Sequence, residues 1–404
     1  MLFKIAWRNI WRNKLRSIVI MSSVAIGLLA GLFIISFSWG MNKENVHNVI
    51  QTQLAHIQIH NPSFQADKMV EYTIENGNDM VAKLTSDARV KAVAGRNIVQ
   101  GMIASATSAS GVNINGIKPD EEKRVSTIST SVIAGSYFAG DKKNEIMIGE
   151  KLATELGAKL KSKLVLTFQS KDGNITSGSF RVTAIYRTKN SAFDETNVYV
   201  KFDDIAALLS TGNELHEIAV LLKNDDDLEP VATDIRKMDL KTEVQTWKQL
   251  SPELQLIVDS FYQYMYIFMA IILMGLMFGI INTMLMAVLE RQREVGMLMA
   301  IGMSKPRVFG MIVLETIFLT CIGIPLGMLL TYLTVEYFNK TGIDVSAFSK
   351  GMAMYGYPTV IHPELESYYY LPVSLMTAGA ALLSGIYPAI KALQLKPAVS
   401  IRKI

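Results

Sequence analysis

Four uncharged, mostly apolar runs constrain this chain more than any other feature: Ser17 to Asn42, Ser260 to Leu289, Thr316 to Val335 and Ser367 to Ile390. A helix needs roughly 20 apolar residues to cross a hydrocarbon core about 30 Å thick, and each run is at least that long. Backbone polar groups must be satisfied internally in lipid, which helices achieve. The pattern predicts four transmembrane helices, with the 217 residues from 43 to 259 inserted between the first and the second.

Charge predicts the orientation. Residues 1–16 carry Lys4, Arg8, Arg12, Lys14 and Arg16 and no acid; residues 290–307 carry four basic side chains against Glu290 and Glu294; the tail 391–404 carries Lys391, Lys396, Arg402 and Lys403. Residues 43–259 hold 25 basic and 29 acidic side chains, and loop 336–366 is also acidic. The positive-inside bias puts both termini and 290–307 in the cytoplasm and the insert outside. The net charge of +4 then reflects topology and gives no reason to invoke nucleic acid. The one cysteine, Cys321, falls in the third span, so no intrachain disulfide is expected. The first run is too long for a signal-peptide core, and Ser36 to Gly40 makes a poor cleavage site, so it reads as an uncleaved helix.

The expected organisation follows: 1–16, an interfacial helix; 17–42, span one; 43–259, an extracytoplasmic domain; 260–289, span two; 290–307, a cytoplasmic segment; 308–335, span three; 336–366, an outer loop; 367–390, span four; 391–404, a cytoplasmic tail. In the first segment Phe3, Trp7, Ile10, Trp11 and Leu15 recur at helical spacing opposite Lys4, Arg8, Arg12 and Arg16, which suits a helix in the headgroup layer.

Inside the insert the pattern becomes α/β. Leu54–His60, 96–106, 112–118, 145–149, 163–169, 175–186, 198–201, 217–223 and 242–246 read as strands; 78–87, 150–156 and 228–238 read as helices. Residues 107–195 are mostly strand and turn, which predicts two subdomains, one α/β and one a β-rich insert. His56 and His60 lack a third ligand nearby and read as strand-surface histidines rather than a metal pair. Asp225-Asp226-Asp227 lacks the Gly and distant Glu of a calcium loop and reads as a helix cap. The fold class expected is an α-helical multi-pass membrane protein with a large α/β extracytoplasmic domain.

No phosphate-binding loop, zinc-protease motif, Cys/His cluster or nucleophile elbow occurs in the sequence. The spans carry almost no charge apart from Glu315, whereas ion-coupled transporters usually bury several ionisable groups at membrane depth. Glu315 is expected to reach the interface or pair with a basic loop residue. The chain is therefore not expected to be an enzyme, nor to bind a cofactor or metal.

The segment Glu290-Arg291-Gln292-Arg293-Glu294-Val295-Gly296-Met297-Leu298-Met299-Ala300-Ile301-Gly302 resembles the coupling segment of the FtsX/MacB/LolE family of ABC transporter permeases, departing at Met299 and Met303. Tyr387 to Arg402 is similar to that family's ending, and Ala6 to Arg16 to its start. His56 to Pro62, Asn115 to Pro119 and Ile148 to Ala153 resemble the lipoprotein-releasing branch. The resemblance implies a permease subunit in a bacterial inner membrane, paired with a second copy or a paralogue and with two copies of a cytoplasmic ABC ATPase that holds the ATP and magnesium. It implies ATPase-coupling roles for Glu290, Arg291, Arg293, Glu294, Gly296, Leu298 and Gly302. It further implies mechanotransmission through stiff helices, with lipoproteins as cargo passed to a periplasmic carrier. Export of peptides or drugs with an outer-membrane partner, and switching of a cell-wall hydrolase, stay open as alternatives. From position alone, cargo contacts are expected at Trp39, Met41, Phe261 and Tyr262, at the outer ends of spans one and two.

Overall fold

The computed structural model describes residues 2–138, 142–238, 241–348, 351, 357 and 359–394. The described residues of 1–41, 258–344 and 360–404 form one compact unit, and those of 42–257 and 345–359 form the other.

The first unit is helical. Its elements are α1 (Leu2–Arg12), α2 (Lys14–Val49, running on into the second unit), α3 (Pro252–Glu290), α4 (Gln292–Ala300), α5 (Lys305–Thr341) and α6 (Tyr370–Leu393). α2, α3, α5 and α6 are long and apolar enough to cross a membrane. α2, α3 and α5 outlast their uncharged runs at both ends, because a helix need not stop where its apolar stretch does, whereas α6 begins three residues into its run and ends three residues past it.

Small and hydroxyl-bearing residues let these helices approach closely. Thr316, Thr320, Gly323, Gly327 and Thr331 are buried along α5. A β-carbon on Gly385 of α6 would lie 2.8 Å from Thr316 Oγ1, so the two helices touch there. Two of these buried hydroxyls donate back one turn, Thr320 to Thr316 O and Thr331 to Gly327 O at 2.8 Å each, which satisfies both donors in an apolar setting. Ile20, Val24, Leu28 and Leu32 of α2, Met269 and Ile280 of α3, and Leu319 of α5 fill the common core.

α1 divides its apolar residues in two. Ala6, Asn9 and Ile10 are buried, whereas Phe3, Trp7 and Trp11 stay about half exposed. Phe3 and Trp7 place their rings edge-on to Phe318, with centroids 5.8 and 5.6 Å away. The expected single stripe is thus one protein-facing row beside one aromatic row left for a headgroup layer.

The second unit is built on one mixed sheet. Its strands are β1 (Ile57–His60), β2 (Val90–Ala104), β3 (Ala109–Ile117), β4 (Val132–Gly135), β5 (Glu145–Gly149), β6 (Lys163–Gln169), β7 (Ile175–Tyr186), β8 (Asn197–Lys201), β9 (Glu217–Leu222) and β10 (Glu243–Thr246). The order is β10-β1-β9-β2-β3-β8-β5-β7-β4, with β6 paired to β2 and β7. β3–β8 and β5–β7 are parallel and the other pairs antiparallel. The strands of 107–195 continue this sheet rather than forming another, because the 15-residue β2 pairs with β9 at one end and with β3 and β6 at the other. The amphipathic helix Leu228–Met238 buries Leu228, Val231 and Ile235.

The strand expected from Leu54 begins at Ile57, and Ile50–Leu54 is a π-helical turn continuing α2. The histidine reading is corrected here. His56 and His60 are buried rather than surface residues. His60 Nε2 stands 3.1 Å from Glu217 Oε2, and His56 Nε2 stands 2.9 Å from Asp225 Oδ1. The Asp225–Asp227 turn precedes the helix Leu228–Met238 as a 3-10 turn. The residue before it, Asn224, makes no side-chain cap, and Asp225 serves as the partner of His56 instead.

Candidate coupling site

The charged segment after α3 folds as a short helix. Glu290 is the last residue of α3, Arg291 alone separates it from α4, and Gly302 follows the helix end. Gly302 takes φ +102°, with its N–H on Met299 O at 3.1 Å and the Met303 N–H on Leu298 O at 3.0 Å. That pair of bonds is the Schellman C-cap, which needs a residue free of a Cβ at this position. Val295 and Gly296 are buried, while Glu290, Arg293, Glu294 and Gly302 are exposed.

A five-member ion cluster anchors α4. Glu294 pairs with Arg12 of α1, and Arg291 Nε lies 3.3 Å from Glu294 Oε2. Arg291 Nη1 lies 3.0 Å from Glu315 Oε1 and 3.3 Å from Glu315 Oε2. Arg16 Nη2 lies 3.2 Å from the same Glu315 Oε1. Partial burial alone would push the Glu294 carboxyl up. The guanidiniums of Arg12 and Arg291 outweigh it and hold this group below the usual carboxylate range. Glu315, the acid just before the third uncharged run, has its charge met by a loop residue, Arg291, as anticipated, and also by Arg16. Sequence reasoning placed Arg12 and Arg16 on a basic helix face but did not pair them with Glu294 or Glu315. The signal for them was general: a lone buried acid demands cations, and the largest acid-free group of cations stood in residues 1–16.

Beside this cluster lies a cavity of about 310 Å³, bounded by Arg8 and Arg12 of α1, Met284 of α3, Leu298 of α4 and Met311 of α5. Of the proposed coupling residues, Arg291, Glu294 and Leu298 line it.

The residues expected to touch cargo are only partly assembled. The Trp39 and Phe261 rings lie 5.1 Å apart, so these two meet. Phe261 is buried and Met41 half-buried. Tyr262 belongs to α3 by its backbone, but its side chain lies outside the described residues, as does the tail from 395 to 404.

The inserted domain holds a second buried cluster that the sequence did not reveal. Arg96 of β2 bonds Glu122 twice at 2.8 Å and Glu217 of β9 at 2.7 Å. Burial works against the Arg96 charge, but the two carboxylates outweigh it and raise the guanidinium further. Burial would likewise raise Glu217, yet Arg96 and His60 hold it low. Among the described residues, no group of three or more His, Cys, Asp or Glu side chains could hold a metal.

Four membrane-length helices, a mixed α/β domain between the first two, and a short ion-paired helix after the second define a membrane permease with one large inserted domain. Residues 17–238 match the MacB-like periplasmic core domain and residues 266–397 the FtsX-like permease C-terminal region, and the chain belongs to this family of ABC transporter permeases. An uncharacterized ABC transporter permease of Methanocaldococcus jannaschii is 22% identical over 98% of this chain and 96% of its own length. LolC of Neisseria meningitidis, the transmembrane protein of a lipoprotein-releasing system, is 22% identical over 97% of this chain and 95% of its own. MacB of Campylobacter jejuni, a macrolide export ATP-binding/permease protein, is 24% identical over 99% of this chain, which spans 61% of that protein.

Proposed function

We propose that this chain is the permease subunit through which a separate cytoplasmic ATPase drives release of lipoproteins from a bacterial inner membrane. Both termini and α4 then face the cytoplasm and the inserted domain faces the periplasm, in line with the basic residues of 1–16 and 290–307. ATP and magnesium are held by the ATPase dimer, not by this chain. A second copy or a paralogue completes the permease, and a periplasmic carrier receives the cargo.

The observation that carries the coupling role is the anchoring of α4. A short helix tied by ion pairs to α1 and α5 accepts a push from a partner as a rigid body, and the unbroken α3 above it is stiff enough to pass motion along. The reading of the cargo is supported by the end-to-end alignment with LolC and by the motifs of the inserted domain. Export in the manner of MacB is the second reading, favoured by the alignment with the Campylobacter protein. An FtsX-like switch for a wall hydrolase is the third.

The test is purification from native membranes, with bound proteins and lipids identified by mass spectrometry. An ATPase together with acylated proteins supports lipoprotein release. An ATPase with a periplasmic adaptor and outer-membrane channel, or with a wall hydrolase, sinks it in favour of the second or third reading.

A further inference from the structure

Helix is interrupted twice beside the ion cluster. α1 ends at Arg12 and α2 begins at Lys14, leaving Asn13 between them; α3 ends at Glu290 and α4 begins at Gln292, leaving Arg291. A single non-helical residue between two helices is where a swing can occur, since a few φ/ψ changes there absorb the motion. Here both breaks are bracketed by side chains that converge on two carboxylates. Arg12 and Arg16 flank the first break and reach Glu294 and Glu315. Arg291 is itself the second break, and its guanidinium reaches the same two acids.

Glu315 is the centre of this arrangement. It sits on the continuous α5, and its side chain is only 6% exposed. Its Oε1 receives Arg16 and Arg291 together, at 3.2 and 3.0 Å. A buried carboxylate that loses its cations becomes an uncompensated charge in a low-dielectric setting, so partner exchange is disfavoured. The first break has a further tie, Ser17 Oγ donating to Ile10 O at 2.6 Å across it.

We propose that Glu315 is a positioning residue that clamps both hinges at once, so that α1 and α4 turn together on α5 rather than swinging separately. The inference deepens the coupling role given to α4 and rests on that reading for its purpose, though not for its geometry. An input received on α4 then also moves the aromatic row of α1, which links the ATPase side to a helix lying against the bilayer surface.

The test uses the full-length protein in lipid nanodiscs with pairs of nitroxide labels, read by pulsed electron resonance. One pair joins Met297→Cys on α4 to the native Cys321 on α5; the other joins Trp11→Cys on α1 to Cys321. With labelled chains diluted in an excess of Cys321→Ser protein, so that each assembly carries one labelled copy, both should give single narrow distance distributions in the parent. Glu315→Gln should broaden both at least twofold, and Glu315→Asp, which keeps the charge, should restore most of the narrowness. Should Glu315→Gln fail to fold, Arg291→Gln reads the α4 pair and Arg16→Gln the α1 pair. Unchanged widths in these variants overturn the clamp, and broadening of the α4 pair alone overturns the shared movement. These widths need no ATPase, so they stand apart from ATP hydrolysis by the assembled complex, which tests the coupling reading itself.

Discussion

A β-carbon on Gly323 of α5 would stand 2.9 Å from Val24 Cβ on α2, and 3.1 Å from the Met21 carbonyl oxygen. One turn on, a β-carbon on Gly327 would meet Ala25 O at 2.9 Å. The two helices therefore pack nearly backbone to backbone, where lipid supplies no hydrophobic drive and close approach must supply the attraction. Gly323→Val should force them apart and destabilise the detergent-solubilised protein by about 1–3 kcal/mol in thermal unfolding. Gly379→Val on α6, where a β-carbon meets nothing within 4 Å, is the control and should leave the transition in place.

Glu294 holds Arg12, and Gly296 is buried against the bundle. Glu294→Ala and Gly296→Leu should each leave ATP hydrolysis running in the complex with its ATPase. Each should cut ATP-driven cargo release at least tenfold, about 1.4 kcal/mol of lost coupling. Parallel assays of phosphate production and release check this, and coupled activity equal to the parent would count against α4 as the contact.

Arg96 neutralises two buried carboxylates. Arg96→Met leaves Glu122 and Glu217 buried together without the guanidinium that bridges them, and should cost about 3–5 kcal/mol. Pulse proteolysis in urea, reading cleavage within residues 42–257, measures it. Adding Glu122→Gln and Glu217→Gln to Arg96→Met should recover part of the loss.

Asp194 accepts the Thr188 N–H at 2.9 Å and the Thr188 hydroxyl at 2.7 Å, yet burial pushes its carboxyl up to about 6. The folded protein thus takes up this proton more readily than the unfolded chain. The contribution is fully present below about pH 4 and is lost as pH rises through about 6. Asp194→Asn should remove that slope. Its stability relative to the parent should improve by about 2 kcal/mol between pH 4 and pH 7, as hydrogen exchange of the 188–201 segment in the full chain would show. A difference independent of pH would refute the assignment.

Much of the molecule was readable before any coordinates. The four spans followed from length and lack of charge. β5, β6, β7 and the helix Leu228–Met238 fall where alternation, turn residues and amphipathic spacing put them. The helix Pro119–Val125 was missed although its signals stood in the chain, a proline in the first turn followed by three acids. β2 was expected to begin at residue 96 and begins at Val90, because Val90 to Arg96 pair with β9 more than a hundred residues away.

The sequence by itself determined the local and the one-dimensional: which segments are apolar enough to cross a bilayer, and that residues 290–302 form a charged segment ending at a glycine. Those properties depend on propensity, period and charge within a few turns of chain. Only the tertiary structure decided that Glu315 meets Arg16 and Arg291, that Glu294 meets Arg12, and that His60 is buried against Glu217. Apart from the Arg291–Glu315 pair, 24 residues apart, these contacts join residues separated by 157 to 299 positions. Burial turns such charges from solvated surface groups into obligatory partners, and burial is a property of the packed chain.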